Sequence, residues 1–521
     1  MAELISGTVS QVDRVYDWLA YHARTSPDRL ALVDLASGRS FSYGQFNDRA
    51  TRLATGLRDS FNVGRGDRVA TVTQNSSDMF EVLFACWKLG AIFTPLNWRL
   101  HSRELAQLLE HASPSLIVCD ASLSTLIEGT SIAVLSRASD GDSAYEELIA
   151  GSAAEVVMPD LTYDDVHSIL YTSGTTGKPK GAIYTHRIAM NTVVSSATHG
   201  GLDRNSRTLV FAPLFHAAPL YAGGVPLFHY GGAVYVMPGW DAAACLRYIG
   251  DPDMAITHFN GVPTNFIMMQ ELPEFESASF PTVRMFGIGS APISLDLLQR
   301  WQAKGALLTQ SYGMTEAFSV TLTSLDPIEA KAQVGTAGRP MLHVQLRVAL
   351  ADGSEMPTGE VGEIHVRGPG VIPGYYREPE LTAAAFLEDG WFRTMDAGRL
   401  NPDGTLTVVD RIKDMFISGG ENIYPSEIEG VLAKLEEVSQ VAVIGVPHRK
   451  WGEAGLALIV PRLGRELTET EVLDACREKL ARYKIPRSVC FVERLPLSAQ
   501  GKVLKRELRD VYRDHFSGAE E

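Results

Sequence analysis

The chain has 521 residues, 45% hydrophobic and 21% charged, with a net charge of −15. It is too long for a single core and too acidic for a nucleic-acid footprint, so at least two domains and no nucleic-acid partner are expected. No stretch approaches the ~18 apolar residues of a membrane span, the start lacks a leader pattern, and five cysteines are scattered without C-x-x-C spacing; a cytosolic protein with reduced thiols and no membrane span is expected.

In chain order, residues 68–73 read as a strand and Asn75, Ser76 and Ser77 as helix caps. Met79, Val82, Leu83, Cys86 and Leu89 form the apolar face of a helix leading to a strand over 91–95. Strand, helix, strand at this spacing implies βαβ units, hence α/β layers with largely parallel sheets. The alternation returns with strands at 208–213, 233–237, 255–259 and 283–288. After residue 340 the texture changes to short strands at 345–350, 363–367 and 406–410, broken by Asp352-Gly353 and Asp403-Gly404, which predicts a small β-rich subdomain. Past Lys413 a compact α+β unit is expected. It has a helix at 425–433, strands at 441–446 and 454–460, and a capping box at Thr468 and Glu471 opening a helix through Leu480. Residues 477–513 carry 11 Lys and Arg against 4 Asp and Glu, a local excess suited to phosphate groups.

Residues 168–181 run from an apolar strand into small hydroxyl residues with three glycines and two lysines. Consecutive small residues let main-chain N–H groups and hydroxyls converge on phosphate oxygens, and lysine supplies charge. This is not a Walker A loop. Thr172 stands where that pattern needs a glycine, and Pro179 where it needs Ser or Thr; Pro179 also disfavours an immediate helix.

With this loop in view the sequence resembles the adenylate-forming superfamily, which contains acyl- and aryl-CoA synthetases, luciferase and peptide-synthetase adenylation domains. Six further segments match in order: 213–216, 287–292, 310–316, 390–396, 410–414 and 500–502. The resemblance covers nearly the whole chain. It implies a large N-terminal domain, 1–412, with two βαβ-type sheets and the β-rich subdomain, and a mobile α+β C-terminal domain, 413–521. It also implies an AMP-forming carboxylic acid:CoA ligase using ATP, Mg²⁺ and coenzyme A. Alternatives are an adenylating enzyme that loads a carrier protein, a luciferase-like oxygenase, or a ligand-binding relative without turnover. A homodimer is left open.

The resemblance assigns ATP-phosphate binding to Thr172, Ser173, Gly174, Thr175, Thr176, Gly177, Lys178 and Lys180. It assigns the Mg²⁺ ligand to Glu316, α-phosphate contact to Thr315, and further catalytic positions to His216 and Lys502, the latter bridging carboxylate and α-phosphate. Adenine and ribose fall to Gly289, Ser290, Ala291, Gln310, Ser311, Tyr312, Gly313, Met314, Asp396 and Arg411. Lys413 matches the hinge, and Ser418, Gly419, Gly420, Arg99, Trp451, Tyr483 and Arg487 the coenzyme A contacts. Ala217, Ala218, Ala222, Phe259, Asn260 and Gly261 match the acyl pocket. Two departures stand out: Met395 replaces a usual glycine, and Ala218 stands where hydroxycinnamate ligases often have tyrosine. The small residues predict a ring-bearing or medium-chain acid.

Overall fold

The structure is a computed structural model and describes residues 14–138, 143–172, 180–289, 293–350, 352–497 and 503–516. It forms two compact units: residues 1–346 with 366–392, and 347–365 with 393–521. The first holds two large sheets. In one, the strands Leu30–Asp34, Ala233–Val236, Arg207–Val210, His258–Gly261, Met285–Ile288 and Leu308–Met314 run parallel, with antiparallel strands at both edges. In the other, Ala133–Arg137, Leu116–Asp120, Arg68–Val72, Ile92–Pro95 and Val166–Thr172 are parallel and Lys180–Thr185 closes the edge antiparallel. Both are of the βαβ kind expected from the alternation.

The connections of the first sheet fix where a ligand can sit. From Arg207–Val210 the chain moves to Ala233–Val236 on one side and then to His258–Gly261 on the other. The strand order reverses there, and such a reversal opens a crevice at the carboxyl ends of the strands.

The expected strand at 255–259 lies at His258–Gly261 instead. Ala255 sits at φ +50°, a left-handed backbone that cannot continue a strand, so the strand starts three residues later than expected. The helix Ser77–Leu89 also differs from expectation: every residue of it is buried, including Asp78, Glu81 and Lys88, which the apolar-face reading would leave in solvent. Inside, each charge meets a partner. Asp78 pairs with Arg39 and Arg137, Glu81 with Arg49, and Lys88 Nζ with Asp17 at 2.5 Å.

Gln345–Ala349, Gly362–Arg367, Phe392–Leu400 and Leu406–Arg411 form the four-stranded sheet of the β-rich region, most of which is grouped by compactness with the C-terminal part. A five-stranded sheet follows, dominated by the pair Val438–His448 and Gly452–Pro461. The helix Glu469–Lys479 opens with the expected capping box of Thr468 and Glu471. The five cysteines are free thiols, four of them buried. No described helix is long and apolar enough to cross a membrane.

Candidate active site

The strands Val166–Thr172 and Lys180–Thr185 pair antiparallel with Thr172 opposite Lys180, so these two residues close the base of the loop between them. Ser173, Gly174, Thr175, Thr176, Gly177 and Lys178 lie outside the described residues. The Lys180 ammonium stands 5.4 Å from the centre of the Tyr375 ring. The Tyr375 hydroxyl donates to Glu316 Oε1 at 3.1 Å, which brings Glu316 beside the loop's base.

Thr315 and Glu316 occupy the turn of the hairpin between Leu308–Met314 and Phe318–Leu322. The hairpin carries a bulge at Tyr312 and Gly313, and a Cβ on Gly313 would stand 1.9 Å from the Phe318 carbonyl oxygen, so only glycine fits. Phe318 adopts φ +50°, a strained conformation for an aromatic residue that is held by the hairpin and by its own burial. The Tyr184 hydroxyl donates to the Thr315 carbonyl at 2.7 Å, and the Ile372 N–H donates to the Glu316 carbonyl at 2.9 Å. Backbone and side chain of the turn are thus both pinned. Among the described residues no group of three metal-ligating side chains occurs. A single carboxylate beside the base of a loop expected to bind phosphate still suits Mg²⁺, which takes one or two carboxylates and fills its remaining positions with phosphate oxygens and water.

The other wall is built from strand ends. Gly289 donates its N–H to the Gly261 carbonyl at 3.1 Å, and a Cβ on it would stand 3.3 Å from Ser311 Oγ. Gln310 Oε1 accepts from the Ile293 N–H at 3.0 Å, anchoring the far side of the segment containing Ser290 and Ala291, which lie outside the described residues. Tyr312 and Met314 pair with Thr321 and Phe318 across the hairpin.

Behind Ser311 a cavity of about 80 Å³ runs between the sheet face and the C-terminal end of the helix His186–Gly200. Ala222, Asn260, Gly287, Ser311, Ser195 and His199 are among its lining residues. Of the expected acyl-pocket residues, Ala222 and Asn260 reach it. Ala217 and Phe259 are packed in hydrophobic cores, Ala218 is exposed, and Gly261 lies beside Asn265 and Phe266. His216 packs its ring edge-on against Phe215 at 4.4 Å. Sequence reasoning missed Ser195 and His199. Their spacing of four in a helical stretch was the available signal, but only the fold turns it towards a cavity. Tyr184 and Tyr375 were missed because nothing local distinguishes them from core tyrosines.

In the second unit, Asp396 pairs with Arg411 across two strands, Oδ1 to Nε at 3.7 Å. Between Thr394 and Asp396, Met395 adopts φ +59° with its side chain exposed. This accounts for the usual glycine: the position requires left-handed backbone, which costs a side-chain-bearing residue about 1–2 kcal/mol. Met395→Gly should therefore raise thermal stability by up to about 1 kcal/mol, less than the strain because glycine also loosens the unfolded chain. A lower melting temperature for Met395→Gly would contradict this reading.

Gly419 and Gly420, at φ +62° and +90°, form the two-residue turn between Phe416–Ser418 and Glu421–Ile423. A Cβ on Gly419 would stand 2.9 Å from the Trp451 ring, and the Arg487 guanidinium lies 5.0 Å from that ring's centre. Ser418, Gly419, Trp451 and Arg487 therefore share one surface. Tyr483 is 46% exposed, and in the first unit Arg99 lies over the Trp98 ring. Lys413 follows the strand Leu406–Arg411, and burial lowers its ammonium's pKa, with the neighbouring Arg411 charge adding to the effect. Lys502 lies outside the described residues.

Residues 19–376 match the family model described as AMP-binding enzyme, and residues 427–502 match the AMP-binding enzyme C-terminal domain. The chain is 39% identical over 494 residues to a feruloyl-CoA synthase of Amycolatopsis sp, spanning 94% of this chain and 98% of the relative. It is 37% identical over 505 residues to an indoleacetate–CoA ligase of Aromatoleum aromaticum, spanning 95% and 97%. Among solved structures it is similar to the O-succinylbenzoate coenzyme A synthetase of Bacillus subtilis in complex with ATP and magnesium ion. The TM-score is 0.84 at 30% identity, covering 95% of this chain and 100% of the other.

Proposed function

The chain belongs to the AMP-binding enzyme family and is an AMP-forming acid:CoA ligase using ATP, Mg²⁺ and coenzyme A, and from that premise we propose that its acid is a compact, ring-bearing monocarboxylic acid with a polar substituent. The cavity behind Ser311 carries this reading. Its volume of about 80 Å³, roughly half of the ~150 Å³ that takes up benzene in an engineered apolar site, leaves no room for an extended alkyl chain and admits a ring only in part. Its lining is mixed: Leu202, Leu227 and Met285 supply apolar contact, while Ser195, Asn260 and His199 offer hydrogen bonds. His199 Nε2 accepts from the Leu342 N–H at 2.9 Å, so Nδ1 carries the proton and is a donor. Burial lowers the pKa of this imidazole and favours that neutral form. The names of the feruloyl-CoA and indoleacetate relatives point the same way.

The reaction has two steps. A carboxylate oxygen of the acid attacks the α-phosphorus of ATP, the bond to pyrophosphate breaks, and the acyl-adenylate forms; the thiol of coenzyme A then displaces AMP. We assign the β- and γ-phosphates to the 172–180 loop, the α-phosphate to Thr315, and the carboxylate–phosphate bridge to Lys502. Glu316 would hold Mg²⁺, which offsets phosphate charge when bound. Asp396 and Arg411 take the ribose, and the surface of Ser418, Gly419, Trp451 and Arg487 takes coenzyme A. Lys413 serves as the hinge between the functional domains 1–412 and 413–521. The pairing of Asp414 Oδ1 with Arg509 at 3.0 Å supports this by tying the hinge to the helix Lys505–Val511 just after Lys502. The free thiols support a cytosolic setting.

Pyrophosphate release measured with coenzyme A across acetate, octanoate, palmitate, hydroxylated cinnamates and indole acids should give the highest kcat/KM with a ring-bearing acid. Ala222→Phe should raise KM for that acid about tenfold with little change in KM for ATP, because added bulk excludes volume in the acyl cavity alone. Acetate or palmitate as the best substrate, or an equal rise in both KM values, would remove the basis of the assignment.

A further inference from the structure

We propose that Tyr375 is a positioning residue that holds the Glu316 carboxylate and the Lys180 ammonium in register for the Mg²⁺-nucleotide. The proposal rests on the assignment of Glu316 to Mg²⁺ and of Lys180 to phosphate given above.

Three observations on one side chain carry it. Its hydroxyl donates to Glu316 Oε1 at 3.1 Å. Its ring face lies 5.4 Å from Lys180 Nζ, within reach of a cation–π attraction. Its ring is 8% exposed and part of the main hydrophobic cluster, so neither contact is free to wander.

The backbone locks the same segment to both partners. Tyr375 bridges to Ala182, and the Tyr376 N–H donates to the Gly181 carbonyl at 2.7 Å, both next to Lys180. On the other side the Ile372 N–H donates to the Glu316 carbonyl at 2.9 Å. The stretch 372–376 is therefore a strap between the phosphate loop's base and the Thr315–Glu316 turn, with Tyr375 as its one side chain touching both charged groups. A donor on Oε1 leaves Oε2 for a cation and fixes the plane of the carboxylate. Without it the carboxylate could rotate towards Lys180 and neutralise the charge that phosphate needs.

The test uses equilibrium binding of α,β-methylene-ATP to the full-length protein, with and without Mg²⁺. Tyr375→Phe should raise the Mg²⁺ concentration needed for half-maximal enhancement of binding by about tenfold, the scale of one hydrogen bond to a charged group. It should leave Mg²⁺-free binding and the melting temperature near wild type. Tyr375→Leu, which also removes the ring beneath Lys180, should in addition weaken Mg²⁺-free binding about threefold. In a Glu316→Gln background Tyr375→Phe should add little. A wild-type Mg²⁺ dependence in Tyr375→Phe, or an undiminished effect of Tyr375→Phe in Glu316→Gln, overturns the role of Tyr375 while leaving Glu316 in place. No change of Mg²⁺ dependence in Glu316→Gln alone overturns the metal assignment and this proposal with it.

Discussion

Lys502→Ala should slow formation of the acyl-adenylate by a factor on the order of 10² or more, the scale of removing one preorganised donor from a site of developing charge, while thioester formation from supplied acyl-AMP stays near the wild-type rate. The asymmetry is the content of the prediction. Adenylation brings a carboxylate, an α-phosphoryl group and a departing pyrophosphate together in line, and a cation bridging the first two acts where repulsion is greatest. Thioester formation starts after pyrophosphate has left and needs no such bridge. The described residues on either side of 498–502 are tied to each other. Leu497 bridges to Val503, and the Leu504 N–H donates to the Pro496 carbonyl at 2.8 Å. Lys505 Nζ pairs with the partly buried Glu429 carboxylate at 2.8 Å, anchoring the start of the following helix. Rapid-quench measurement of the two half-reactions separates the outcomes, and equal losses in both would make Lys502 a structural residue.

What could be read from the sequence follows how local the causing interaction is. Thr315 and Glu316 were singled out only by the resemblance of the 310–316 segment, while the hairpin and the bulge needing Gly313 that carry them came from the structure. The capping box of Thr468 and Glu471 was legible because both residues stand within a few positions of each other. The cavity behind Ser311 was not. It gathers Ser195 and His199 from a helix, Asn260 and Gly287 from strand faces and Met341 from beyond the hairpin. Small residues near the His216 segment do not reveal that Ala217 turns into the core while Ala218 turns out. The strap at Tyr375 was invisible as well, since its meaning arises only where residues 180, 316 and 375 converge. The helix Ser77–Leu89 shows the opposite hazard, a pattern that is local and misleading. Its charged residues alternate with apolar ones as on a solvent-facing helix, yet all are enclosed, because partners arrive from Arg39, Arg49, Asp17 and Arg137 far along the chain.

That enclosure makes Asp78→Ala the most destabilising change expected outside the active site. Asp78 is 2% exposed, and its carboxylate accepts from Arg39 Nη2 at 2.5 Å through one oxygen and from Arg137 through the other. Arg137 reaches on to Asp120, which also accepts from the Gln74 N–H at 2.8 Å, so the helix, two strands and their loops meet at one point. Removing the central carboxylate leaves two guanidinium groups short of charge in a largely buried site, and breaking a buried pair in this way costs about 3–5 kcal/mol. The melting temperature should fall by about 5 °C or more. Asp164→Ala, which breaks an exposed pair with Arg187, should shift it by no more than about 1 °C. The pH dependence gives a second check. Burial pushes the Asp78 carboxyl's pKa up, but the charges and hydrogen bonds of Arg137 and Arg39 more than offset this and hold it below the ordinary value. A depressed folded pKa means the contribution is complete above the unfolded value, near 4, and is lost as pH falls below it. The stability gap between wild type and Asp78→Ala should accordingly be widest at neutral pH and narrow as pH drops below about 4. Urea unfolding of the two proteins across that range measures it, and a gap that stays constant or widens on acidification would show that Asp78 stabilises the helix through packing rather than charge.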